Sequence, residues 1–273
     1  MSLVLRTEAP TGIGFLASVR ALASAAVWPV SSLVFLGVAW EVVARIANVS
    51  FVPTASAVLE RLVELLRDGV ILDSLVESLT NLAIGLVIAV VLGTFLGALM
   101  GVSTKANAAL DLYVNILLIT PKLLFAPILF AMFGLGRSVL IILIVLFSLV
   151  YIIMNTADAI RTVPGSLLDM AATFNASRWQ RVSLIVFPAA VPMMMTGFLI
   201  AVPRAVKGMI YGEMFLAAVG LGAIVVSAGK QFDAATVLAM FVFILVVAFA
   251  LLGIFHLFER RVRTWLPTPA QRR

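Results

Sequence analysis

Apolar runs long enough to cross a lipid bilayer recur along the chain, and they constrain its fold more than any other feature. The clearest, within Val139–Ala159, contains "VLIILIVLFSLVYIIM" with no charged side chain. A helix needs about 20 predominantly apolar residues to cross a hydrocarbon core about 30 Å thick. Six runs qualify: Val27–Ile46, Leu79–Val102, Leu112–Phe133 with Pro121 and Pro127, Val139–Ala159, Leu184–Val206 with Pro188, Pro192 and Pro203, and Ala234–Phe258. The 273 residues are 63% hydrophobic and 12% charged, whereas a soluble domain is about half apolar and about a quarter charged. A soluble fold would expose far too much apolar surface, which excludes a soluble enzyme, a disordered chain and a nucleic-acid binder. The absence of cysteine excludes disulfides, thiolate metal sites and cysteine nucleophiles. The expected fold class is an all-α, multi-pass membrane protein with about six transmembrane helices.

Lys and Arg in the short loops give the orientation. With the N-terminus inside, eleven basic residues fall on the cytoplasmic side, five of them in the tail from Arg260 to Arg273, against seven opposite. The expectation is N-in and C-in, with a cytoplasmic segment 1–26, a transmembrane domain 27–260 and a basic cytoplasmic tail 261–273. The apolar run after Arg20 continues through Trp28 to Ile46, so it reads as an uncleaved first helix rather than a signal peptide. Between the first two runs, Val58, Leu59, Leu62, Leu65 and Leu66 recur at helical spacing opposite Glu60, Arg61, Glu64 and Arg67. Thr54 is the expected N-cap and Gly69 the stop of an outer interfacial helix over about 54–68.

In the second run Gly85, Ala89, Gly93, Gly97 and Gly101 follow one another at intervals of four. They form a small-residue stripe that admits a close helix neighbour, either inside the chain or in a second subunit. Prolines in the third and fifth runs free carbonyls that lipid cannot satisfy, a device tolerated where backbone is buried or lines a watery path. Lys122, beside Pro121, is either a pathway cation or a residue near a boundary of a bent span.

Recognisable catalytic patterns are missing. "GAIVVSAGKQF" lacks the glycine spacing of a P-loop and has Gln231 where a hydroxyl is required, so no ATP site is read in this chain. A single His256 with no cysteine argues against zinc. Neither G-x-S-x-G nor H-E-x-x-H occurs. The expectation is a non-catalytic chain with no cofactor or metal of its own.

The most informative segment, over about 161–183, lies between the fourth and fifth runs and includes "RTVPGSLLDMAATFNASRWQRVS". Ser166 with Asp169, and Ser177 with Gln180, both fit a capping box. Asn175 between them enters the left-handed region at low cost. The pattern predicts helix, sharp turn, helix, with Leu167, Leu168, Ala171, Ala172 and Phe174 forming an amphipathic docking knob or a face laid on the bundle.

Here the chain resembles the integral membrane permease subunits of type I ABC importers, in their nitrate/sulfonate/taurine branch. The loop is similar to the EAA motif of that family: Asp169 stands at its acidic position, Ala171 at the alanine, Asn175 at the glycine, Ala176 at the next alanine, and Phe187-Pro188 closes it. Asp for Glu keeps the charge and Asn for Gly keeps the turn. "FVPTASAVLERLVELLRDG", "PKLLFAPILFAMFGLGRS", "GEMFLAAVGLGAIV" and "FERRVRTW" extend the resemblance over Val52 to Trp265. "TPK" and "VPRAVKGMIYGE" depart from the usual pattern of the branch.

The resemblance implies a permease of the bacterial inner membrane that forms a pathway with a second permease, identical or related. Two cytoplasmic subunits would bind ATP and Mg and receive a coupling helix, Pro164–Asn175, through Pro164, Gly165, Leu168, Asp169, Ala171, Ala172, Phe174, Asn175 and Ala176. An extracytoplasmic binding protein would deliver a small solute, with an anion favoured. Lys122, Arg204, Lys207, Glu213, Gly220 and Gly222 are the expected pathway or gate residues, with Arg204, Lys207, Glu213 and the two glycines at the outer end of the fifth run; the alternative for that end is interfacial snorkelling of the cations, with Glu213 neutralising a neighbour. The competing reading is a secondary transporter driven by an ion gradient, which predicts inverted repeats and intramembrane carboxylates.

Overall fold

A computed structural model describes residues 13–47, 51–216 and 219–263, with the side chains of 13–27, 29, 30, 258, 262 and 263 excluded. The residues expected at the extreme N-terminus (1–12) and in the basic tail beyond Arg263 lie outside the described residues. Regular structure among the described residues is helical: α1 Ile13–Ala47, α2 Ala55–Arg67, α3 Val70–Val102, α4 Thr104–Ile119, α5 Phe125–Phe133, α6 Arg137–Arg161, α7 Gly165–Thr173, α8 Arg178–Arg181, α9 Phe187–Leu216, α10 Gly220–Lys230 and α11 Ala234–Arg263.

The chain divides into two units between Arg61 and Leu62. In the first, the Trp40 indole donates to Pro53 O, and the Ser56 backbone N–H and hydroxyl both donate to the Glu41 carboxylate, each at 3.0 Å. Thr54 Oγ1 accepts from Ala57 N at 3.3 Å, the arrangement expected of an N-cap. The second unit holds the bundle. Gly69, at φ 75°, separates α2 from α3, which begins at Val70 rather than at the expected Leu79.

Within the bundle α6 packs between α3 and α9. The small-residue stripe of α3 faces α6 of the same chain. A Cβ on Gly85 would stand 2.6 Å from Ile144 Cγ2, one on Gly93 2.7 Å from Ile152 Cγ2, and one on Gly101 2.7 Å from Ile160 Cβ. The isoleucines therefore fill the space that the glycines leave, and backbones approach closely where lipid offers no hydrophobic drive to do so. On the other side of α6, Gly208 and Gly212 of α9 meet Phe147 and Leu140 in the same way. Leu82, Leu140, Ile144, Ala205, Val206 and Met209 complete this core.

Among the described residues, four helical stretches are long and apolar enough to cross a membrane: α3, α6, the continuous rod Arg178–Leu216, and Ala234–Arg261 of α11. The third apolar run differs from its expected form. Instead of one helix over Leu112–Phe133 it is a pair, α4 and Lys122–Phe133, bent by 88°. The cause is local: Thr120 precedes Pro121, whose ring pushes the preceding residue out of the helical region, and Thr120 is extended at φ −67°, ψ 130°. The first run, on α1, is not among the four.

The rod from Arg178 also answers the first of its prolines, Pro188. Val182–Val186 forms a π-turn in which Phe187 N bonds to Val182 O. That wider turn ends just before Pro188, which has no N–H to donate, so the helix continues instead of breaking.

Gly97→Val is expected to destabilise the protein by about 1–3 kcal/mol, because its Cβ would meet Ile153 O at 2.5 Å and backbone cannot yield as a side chain can. Gly253→Ala, where a Cβ meets nothing within 4 Å, is expected to be neutral or mildly stabilising. Thermal unfolding of both variants in detergent, followed by tryptophan fluorescence, checks the contrast.

Candidate functional site

The loop after α6 carries a short helix with one face held and one face free. Leu168 packs with Val163 against the core of Ala159, Ile160, Val186, Ala190 and Met194, and Ala171 is buried. Asp169, Met170, Ala172 and Phe174 are exposed, Phe174 to 79%. The helix ends in a Schellman motif: Ala176 N donates to Ala171 O at 3.0 Å and Asn175 N to Ala172 O at 2.9 Å. Asn175 occupies the left-handed position of that motif at φ 53°. Two residues later Ser177 and Gln180 form both bonds of a capping box that starts α8.

The first expected capping box is absent. Pro164 is the N-cap of α7 and Gly165 its first residue, so Ser166 already lies inside the helix and makes no cap. Proline sets the extended backbone at that junction, and the helix begins two residues too early for the serine to cap it.

The cations expected in the pathway meet at one aromatic ring. Lys122, at the bend between α4 and α5, places Nζ 5.8 Å from the centroid of Tyr151 on α6. Arg204 of α9 places Cζ 4.7 Å from the same centroid. Each is within cation–π range, and neither has a carboxylate partner among the described residues. Tyr151 stands near the middle of α6, so Arg204 lies at that level and not at an outer gate as expected. Tyr151 itself was not singled out from the sequence; its signal is a polar-tipped aromatic in an otherwise apolar run. Lys207 is exposed one turn further along α9.

Glu213 separates from this group. It lies nine residues beyond Arg204, about two and a half helical turns, and so faces the opposite side of α9. Its side chain is 0% exposed, and Oε2 accepts from Gly222 N at 2.9 Å, while Oε1 has no partner. Ser78 Oγ of α3 accepts from Leu221 N at 3.0 Å. These are two of the orphan N–H groups at the start of α10, whose N-cap, Val219, has no side-chain acceptor. Other helices thus supply the cap. Gly220 sits at φ 75°, and a Cβ on Gly220 or Gly222 would collide with Glu213. The expected gate of Arg204, Lys207, Glu213 and the two glycines is therefore two separate constructions.

A family model described as "Binding-protein-dependent transport system inner membrane component" matches residues 78–264, from α3 through Trp-free α11 and one residue beyond it. The chain belongs to that family. This inner membrane component is 28% identical to the taurine transport system permease protein TauC of Escherichia coli (strain K12), over 87% of this chain and 92% of that one. It is 29% identical to the riboflavin transport system permease protein RibX of Chloroflexus aurantiacus, over 53% and 54%. It is 30% identical to the nitrate import permease protein NrtB of Leptolyngbya laminosa, over 45% and 44%. Its fold is shared with a structure of the MetNI methionine ABC transporter, with TM-score 0.59 and 19% identity over 68% of this chain and 93% of that chain. It is a multi-pass ABC importer permease of the inner membrane, which sets aside the reading as an ion-gradient-driven carrier.

In this permease Glu213→Ala is expected to leave Gly222 N–H without a partner, at a cost of about 1–3 kcal/mol. Hydrogen exchange should accelerate at the Gly222 amide by about tenfold or more, whereas Ser78→Ala should act mainly at Leu221.

Proposed function

We propose that this permease passes a small anion and is driven by two separate ATPase subunits that grip α7, in a complex with a second permease, identical or related, and an extracytoplasmic binding protein. The names of its relatives range over taurine, riboflavin and nitrate, so the cargo class rests on this chain's own residues. The observation that carries it is the convergence of Lys122 and Arg204 on the Tyr151 ring. Two cations held close together without a carboxylate raise the local potential, and an anion relieves it. The irregular backbone at Thr120–Lys122 supports a pathway there, because non-helical backbone at membrane depth is tolerated where it lines a cavity or is buried in protein.

Coupling runs through α7. Exposed Ala172 and Phe174 form an apolar knob suited to a groove in the ATPase, while Leu168 packs against α6 and α9 and Ala171 is buried. ATP and Mg bind in the partner. Closure of the ATPase pair draws the knobs together, and the rod Arg178–Leu216, which starts beside α7, carries the movement towards Arg204.

Purification with the neighbouring ATPase tests the docking: Ala172→Arg and Phe174→Asp are expected to abolish both copurification and ATP hydrolysis in nanodiscs. Wild-type behaviour of both variants would remove α7 from the docking role. For the cargo, Lys122→Gln and Arg204→Gln are each expected to lower proteoliposome uptake of an anionic probe, taken from taurine, an alkanesulfonate and nitrate, by about tenfold. Uptake unchanged in the double variant would rule out the cation pair.

A further inference from the structure

We infer that Arg161 is a positioning residue that ties α4, and with it the bend at Lys122, to the docking helix. The inference rests on α7 being the helix that the ATPase grips.

Arg161 is the last residue of α6, four before α7 begins. Its Nη2 donates to Met100 O at 3.1 Å and also to Asn107 Oδ1, while Nη1 lies 3.7 Å from Asp158 Oδ1. Met100 O is one of the carbonyls at the C-terminal end of α3 that have no partner within the helix, where a cation is favoured by the helix dipole. Asn107 is in the first turn of α4. Between them Ser103 is at once the C-cap of α3 and the N-cap of α4, accepting from Ala106 N at 3.2 Å. One guanidinium therefore grips both sides of the α3–α4 corner.

The grip matters because of where it acts. Along its length α4 is held by apolar packing, Leu110, Val114, Leu117 and Leu118 against Met100, Val150, Ile153 and Ala157, and Arg161 adds a polar tie at its first turn, close to the start of α7. The other flank of the α7 base is tied to α9. Thr162 Oγ1 contacts Met193 Sδ of α9 at 3.2 Å, and Leu168 sits in the α6–α9 core. Movement of α7 reaches α9 through Thr162 and Leu168, and Arg161 is its polar route to the first turn of α4. The far end of α4 is the bend where Lys122 meets Tyr151 and Arg204. Arg161 is thus the link that makes both cations answer to the same docking event. A lysine there carries its three donors on one nitrogen at the end of a flexible stem and lacks the planar fork that also sets Nη1 towards Asp158.

The test uses spin labels at Asp111 on α4 and Thr173 on α7, with a control pair at Thr173 and Ile200 on α9. The measurement is made on the full-length permease, alone and with its ATPase before and after ATP. In the native chain the 111–173 distance is expected to form one narrow distribution. Arg161→Gln and Asn107→Leu should each broaden it by twofold or more, the double variant no further than either single one, and Arg161→Lys to an intermediate degree. The 173–200 control should stay narrow throughout. An unchanged 111–173 distribution in both variants overturns the inference, as does equal broadening of the control pair, which would signify general loosening. Should Arg161→Gln not fold, Asn107→Leu decides by the same criterion. Failure of the native chain to hold an ATPase would count against the docking role of α7, and the distances in the permease alone still test the clasp.

Discussion

Close approach of α3, α6 and α9 is the constraint on which the rest of the structure depends. Lipid tails are as apolar as leucine, so helices in a bilayer gain little from burying apolar faces and must gain from tight contact and satisfied polar groups. Glycines on both neighbours of α6 let isoleucine, leucine and phenylalanine side chains reach the facing backbone. The result is a slab in which a displacement at one end of α6 or α9 is carried along the helix instead of being absorbed by slack packing. On the proposed coupling, that stiffness would let the nine-residue α7 act on the cation pair near the middle of α6.

Polar groups are concentrated where regular backbone stops, and each such place joins different helices. Glu213 and Ser78 complete the start of α10 from α9 and α3. Arg161 completes the end of α3 from α6. Lys122 stands at the proline-induced bend between α4 and α5. A helix terminus within or near a membrane leaves donors and acceptors that hydrocarbon cannot satisfy, so a side chain from elsewhere is required. The same requirement fixes how neighbouring helices register. In this permease, then, the irregular points serve as joints between helices.

Features set by local chemistry were legible in the sequence. The small-residue stripe, the left-handed Asn175, the Ser177–Gln180 capping box and the Thr54 cap each depend on residues within one turn or on a simple helical repeat. The Ser166–Asp169 box failed because Pro164 and Gly165 began the helix earlier than the pattern implied. The bend at Thr120 was written in its place before Pro121, although its 88° angle was not. Long-range pairings left no such mark. Glu213 with Gly222, and Tyr151 with Lys122 and Arg204, depend on which faces of separate helices meet, and a grouping by nearness along the chain placed Glu213 with the wrong partners.

The most direct measurement of the central claim is a cross-link between α7 and the ATPase. The chain contains no cysteine, so a single one at position 174 or 172 can be joined to the partner without background. The account predicts rapid cross-linking to the ATPase subunit from both positions with a short maleimide–benzophenone reagent, and none from a cysteine at position 33 or 249 on exposed apolar surface. A complex that hydrolyses ATP but cross-links from neither loop position would contradict it.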